Sequence, residues 1–131
     1  EVELYPDAVP TIETVKEMGM KTAVLTTIAI WRFQSVLDAN GVKMDYIYTG
    51  REAGAVKPNP RAYLTVLEKL SLKPSEALMV GDDLATDVLA PKRLGMRGVW
   101  LRRNGKEESS KADYIISSLT ELPSIVNMLN L

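Results

Sequence analysis

The sequence contains no cysteine and no histidine among its 131 residues. The first absence removes disulfides, thiol nucleophiles and cysteine-ligated zinc. The second removes imidazole bases and histidine-bound metals. Chemistry must therefore run on carboxylates, hydroxyls, lysines, arginines and the backbone, an oxygen-rich donor set that suits Mg²⁺ or Mn²⁺ better than zinc or copper. An excess of either charge is also lacking: sixteen basic residues meet seventeen acidic ones, for a net charge of −1. That balance offers no basic field, so no nucleic-acid partner is expected. No apolar run is long enough to span a bilayer and no signal peptide is recognisable, so no membrane association and a cytoplasmic location are expected. The chain also does not begin with methionine but with Glu1, and a fragment or a processed start is expected.

What is present fits one domain. Short apolar runs alternate with amphipathic stretches. Lys21–Thr26, Asp45–Tyr48, Ala77–Val80, Gly98–Leu101 and Asp113–Ser117 read as strands. Between them the helical period places Ala8, Ile12, Val15 and Met18 on one face, then Phe33, Val36 and Leu37, then Tyr63, Val66, Leu67 and Leu70. A further helix runs to about Leu94, with Pro91 predicting a kink or a late start, and Thr120–Leu131 closes the chain. Thr49–Asn59 and Asn104–Lys111 read as loops, and Asn59-Pro60 is a strong helix start. Near-continuously apolar strands alternating with helices predict an α/β fold, a Rossmann-like parallel sheet flanked by helices.

Chemistry-bearing residues gather where such a sheet places its ligands, beyond the carboxyl ends of the strands. Thr26 and Thr27 end the first strand, Lys57 lies in the loop beyond the second, and Asp82, Asp83 and Asp87 follow the third. Each alone has an ordinary explanation. A threonine there caps a helix, a Lys-Pro in a loop is solvated, and Gly-Asp-Asp before a helix serves a turn. The ordered set is far less easily accidental.

That set resembles the haloacid dehalogenase superfamily of hydrolases, in its phosphatase form. The order Leu25-Thr26, Lys57-Pro58 and Gly81-Asp82-Asp83-x-x-x-Asp87 carries the likeness, together with Leu4-Tyr5-Pro6, Lys57-Pro58-Asn59-Pro60 and Gly95-Met96. The resemblance implies that Thr26 hydrogen-bonds a phosphoryl oxygen and that Lys57 neutralises charge on the phosphoryl group and the nucleophile. It implies that Asp82 is the main Mg²⁺ ligand and that Asp87, or Asp83, completes the metal shell or orients the lysine. Thr27 stands where an asparagine is common in the family, at a substrate-contact position. The implied substrate is a small phosphorylated metabolite.

The departures are as informative. The family's nucleophile is the first aspartate of an Asp-x-Asp motif ending the first, central strand, and no Asp-x-Asp occurs here. In the family that strand lies between those ending here at Thr26 and Gly81. The chain is therefore expected to be the later part of a core domain, lacking its central strand and any cap. The missing segment would come from upstream in the same protein or from another chain. The interval from Thr26 to Lys57 is too short for a large inserted cap. Members that cleave carbon–halogen bonds have a Ser-Asn type fourth motif, so Gly81-Asp82-Asp83 favours phosphate esters. The missing motif also leaves open a non-catalytic module that binds a phosphorylated ligand or a protein partner.

Overall fold

Five short apolar runs become strands, and every strand pairing is parallel. The computed structural model describes residues 4–103 and 111–130. In chain order these form α1 (Ala8–Glu17), β1 (Ala23–Leu25), α2 (Ile30–Ala39), β2 (Tyr46–Tyr48), α3 (Gly50–Ala53) and α4 (Pro60–Leu70). There follow β3 (Leu78–Gly81), a π-helical turn (Ala85–Leu89) running into α5 (Ala90–Arg93), β4 (Arg97–Leu101), β5 (Tyr114–Ile116) and α6 (Leu122–Leu129). Most of the expected polar loop at 104–111 lies outside the described residues.

Period-two alternation explains how one strand serves two helix layers. On β3, Leu78 and Val80 pack against Val15 of α1 and Leu122 and Val126 of α6. Ala77 and Met79, pointing the other way, pack against Tyr63 and Leu67 of α4 and Ala90 of α5. Both faces are covered, as a near-continuous apolar strand requires.

Laterally the strands fall into two groups. β1 pairs with β2, and β3, β4 and β5 pair in that order. The described residues place no strand between β1 and β3. Between them lies a cavity of about 720 Å³, lined by Val24 and Leu25 of β1 and Leu78 and Val80 of β3, with Lys57 and Asp87 also on its wall. The family resemblance locates its central strand in that gap.

Some expectations needed correction. On α1 the buried positions are Ala8, Thr11 and Val15, not Ile12 and Met18. Ile12 faces the inter-sheet cavity, and Met18 lies past the last helical residue, where its N–H caps the Thr14 carbonyl at 3.1 Å. The loop read over Thr49–Asn59 contains α3, whose start is held by Glu52 accepting hydrogen bonds from the Thr49 N–H and hydroxyl. Other punctuation held. Asn59 accepts from the Arg61 N–H at 2.9 Å with Pro60 first in α4, and Gly19, Gly41 and Gly95 follow their helices at positive φ. Pro91 falls in the first turn of α5, the late helix start that its missing N–H permits.

The lead-in to α1 is clasped to the far end of the sheet. Asp7 accepts two hydrogen bonds from Arg103, both at 2.9 Å, and one each from the Ser118 hydroxyl and the Leu119 N–H, at 3.0 Å. Arg103 also stacks on Tyr5, 3.8 Å from its ring centroid. The bidentate Arg103 contact holds the Asp7 carboxyl well below the usual carboxylate range; burial opposes this, and the Leu119 and Ser118 donors reinforce it. A carboxylate depressed in the folded state stabilises above its unfolded value and loses that contribution as pH falls through the folded one. Asp7→Asn is expected to lower stability at pH 7 by about 2 kcal/mol and to flatten the acid limb of the stability curve below about pH 4. Urea unfolding of both proteins between pH 2 and pH 7 checks this.

Candidate active site

The site grows from the end of β3. Gly81 is the last strand residue, and Asp82 and Asp83 follow it before the π-helical turn that carries Asp87. Asp87 is drawn inward, its side chain 7% exposed, and it meets the Lys57 ammonium at 3.0 Å. Lys57, 17% exposed, arrives from the loop before α4, where the Lys57-Pro58 peptide is cis. The second oxygen of Asp87 accepts the Asp83 N–H at 3.1 Å. Asp83 in turn accepts the Thr86 N–H at 3.0 Å, which lowers its pKa against a smaller opposing effect of burial.

Gly81 makes this packing achievable. A Cβ at that position would fall on the Asp87 carboxylate. The glycine is required by a close approach rather than by its backbone angle, since it is not among the positive-φ residues.

The structure thus joins Lys57, Asp87 and Asp83 directly. Asp82 is exposed, and among the described residues its carboxylate has no hydrogen-bond partner. Thr26 stands at the end of β1, its N–H bonded to the Tyr48 carbonyl at 2.9 Å. Its hydroxyl accepts the Ile28 N–H at 3.1 Å, leaving its own hydrogen available to a ligand. Thr27 is exposed, and among the described residues its side chain makes no hydrogen bond. Leu25, Lys57 and Asp87 border one cavity, which relates the end of β1 to the lysine and the carboxylates.

Two further side chains escaped sequence reading. Tyr63 belongs to the inner stripe of α4 and is buried there, yet its hydroxyl donates to the Thr86 carbonyl inside the π-helical turn. Burial, then the charges of Asp87 and Asp83, push its pKa up to about 12, so it remains a donor. Trp100 read as strand interior, and its indole N–H reaches the Asp82 carbonyl at 2.9 Å. Local pattern held no signal for either contact, because each joins elements 18 or 23 residues apart.

Among the described residues no three acidic side chains form a metal-holding group. Mg²⁺ does not demand one, since it is commonly held by one or two carboxylates with water and phosphate oxygens. The unpartnered carboxylate of Asp82 fits that requirement.

Comparison with known proteins decides the family. The description haloacid dehalogenase-like hydrolase matches residues 1–95. The chain belongs to this family. A glyceraldehyde 3-phosphate phosphatase of Methanopyrus kandleri is 30% identical over 95% of this chain and 57% of its own length. A ribulose-1,5-bisphosphate 5-phosphatase of Halopiger xanaduensis is 29% identical over 97% of this chain and 58% of its own. Among solved structures, a HAD phosphatase from Thermococcus onnurineus superposes with a TM-score of 0.84 at 37% identity, over 94% of this chain and 58% of that one. A dehalogenase with an intermediate complex gives 0.86 at 25%, over 95% and 57%. The haloacid dehalogenase-like chain described here therefore spans under three fifths of each of these relatives.

Proposed function

We propose that the protein containing this chain is a Mg²⁺-dependent phosphomonoester hydrolase acting on a small phosphorylated metabolite through an aspartyl-phosphate. The observation that carries the reading is the part-buried Lys57–Asp87 pair at the carboxyl end of β3, with the exposed carboxylate of Asp82, which has no hydrogen-bond partner among the described residues, in the same loop. The names of the phosphatase relatives support the substrate class.

In this reading Lys57, oriented by Asp87, sets a fixed positive charge against the phosphoryl oxygens. Thr26 donates its hydroxyl hydrogen to one of them, and exposed Thr27 faces the substrate. Asp82 holds Mg²⁺, with Asp83 or Asp87 nearest to complete its shell; when bound, the ion neutralises charge on the transferring group. Phosphoryl transfer needs such positioned charge more than it needs acid–base power. The nucleophilic aspartate belongs on an extended apolar segment preceding residue 1, seated between β1 and β3. The apolar walls of the gap support this placement, as does the position of Lys57 and Asp87 beside it. Residues 1–131 then supply part of a core domain whose described residues place no strand between β1 and β3, and these residues alone are inactive.

The test is an assay of the full-length protein on a generic phosphate ester with and without Mg²⁺. Activity should require the ion, and Asp82→Ala should lower kcat/KM about 100-fold. Undiminished turnover in that variant overturns the assignment.

A further inference from the structure

One peptide unit in the carboxylate loop is held from both sides. The peptide between Asp82 and Asp83 accepts the Trp100 indole N–H through its carbonyl, at 2.9 Å, and donates its N–H to Asp87, at 3.1 Å. Asp87 in turn holds Lys57, at 3.0 Å. A continuous chain of hydrogen bonds therefore runs from the indole of β4, through the backbone beside Asp82, to the lysine ammonium. Hydrogen bonds in series polarise one another. Donation by the indole to the carbonyl makes the same peptide's N–H a better donor to the Asp87 carboxylate.

The surroundings suit a fixed strut. Trp100 is 4% exposed and pairs in register with Gly81, immediately before the loop. The Arg102 guanidinium lies 4.4 Å from its ring centroid. The carbonyl of Asp82 lies past the last β3 residue, beyond the paired ladder, and the indole satisfies it. Nearby, the Tyr63 hydroxyl donates to the Thr86 carbonyl of the π-helical turn that follows the loop.

We infer that Trp100 is a positioning residue: its indole N–H fixes the Asp82–Asp83 peptide, and thereby sets the direction of the Asp82 carboxylate toward its cation. The inference rests on the reading of Asp82 as a Mg²⁺ ligand. The ring contributes bulk to the core, whereas the N–H contributes orientation, and the two are separable by substitution. Partners that orient metal ligands typically carry a factor of about 10 to 100 in metal affinity.

The experiment compares full-length wild-type protein with Trp100→Phe, which retains an aromatic ring and loses the donor. Mg²⁺ binding is measured by calorimetry without substrate, and phosphatase kinetics are run across a Mg²⁺ series. The expected result is about tenfold weaker Mg²⁺ binding, with kcat at saturating Mg²⁺ within about threefold of wild type. Equal Mg²⁺ affinity in a folded Trp100→Phe variant overturns the inference. Absence of Mg²⁺ binding in the wild type instead overturns the metal assignment of Asp82, on which the inference depends. Should Trp100→Phe fail to fold, the wild-type indole N–H resonance supplies the answer. Slow solvent exchange and a shift on adding Mg²⁺ support the strut, and exchange at the free rate without a shift overturns it.

Discussion

Lys57→Met is expected to lower kcat/KM of the full-length protein about 1,000-fold and its stability by about 3 kcal/mol. The two losses have different origins. Turnover falls because the site loses the positive charge set against the transferring phosphoryl group, an effect that preorganised charge exerts most strongly where water is excluded. Stability falls because Asp87, 7% exposed, is left as a buried carboxylate whose remaining hydrogen-bond partner is the Asp83 N–H. Breaking one side of a buried ion pair is costly chiefly for that reason. A second substitution separates the origins. Asp87→Asn added to Lys57→Met removes the stranded charge, so most of the lost stability returns while activity stays low. Guanidinium unfolding and steady-state kinetics on the three proteins provide the comparison. Wild-type activity in Lys57→Met removes the lysine from the proposed mechanism. Unchanged stability would show the pair to be solvated in the full-length protein.

Lys57 also marks how far the sequence could be read. Motif order placed Lys57, Asp82, Asp83 and Asp87 on one strand-end edge, and the family resemblance gave them roles. Which carboxylate meets the lysine depends on a contact across 30 residues, and the motif order does not choose between Asp83 and Asp87. The structure bonds Lys57 to Asp87. Local chemistry was the most legible part. Asn59-Pro60 opens α4, Tyr63, Val66, Leu67 and Leu70 form its buried stripe, and β3 is covered on both faces. These follow from cap chemistry and periodicity, which act within a few residues.

Most of what the sequence hides is lateral or long in range. Ile12 matches the helical period of the buried face, but it looks into the space between β1 and β3, and periodicity along one element cannot reveal what lies opposite. The start of α3 is a local exception: Thr49-x-x-Glu52 has capping-box spacing, but the glycine and charge around it read as loop. On sequence Tyr63 falls in the inner stripe of α4 and Trp100 within a strand, whereas the structure puts their polar atoms on the Thr86 and Asp82 carbonyls. Aromatic residues with a polar tip usually find a partner when buried, so each could have been flagged as a donor, but not matched to its acceptor.

Gly81→Val is expected to lower kcat/KM about 100-fold and stability by about 3 kcal/mol, although it leaves every polar residue of the site in place. A Cβ on residue 81 would coincide with the Asp87 carboxylate, and the nearest atoms after the carboxylate oxygen are Asp87 Cγ and Cβ. A flexible side-chain tip could swing aside, but Asp87 is held by Lys57 and by the Asp83 N–H, and its Cβ is part of the obstruction. The π-helical turn would have to move away from β3, taking Asp87 from Lys57. Alternatively the end of β3 would have to leave its register with Trp100. Either movement displaces the charged groups by an ångström or more, and a misplacement of that size costs about 100-fold even with all groups retained. Gly81→Ala is the milder arm, with the same direction and a smaller loss. Removing the side chain at residue 87 in the Gly81→Ala background, with Asp87→Gly, takes away all three crowding atoms. Thermal stability should then recover in part, and activity should not, because Lys57 has lost its partner. A Gly81→Val protein with wild-type turnover would show that Asp87 need not pack over β3, and the close approach would lose its functional meaning.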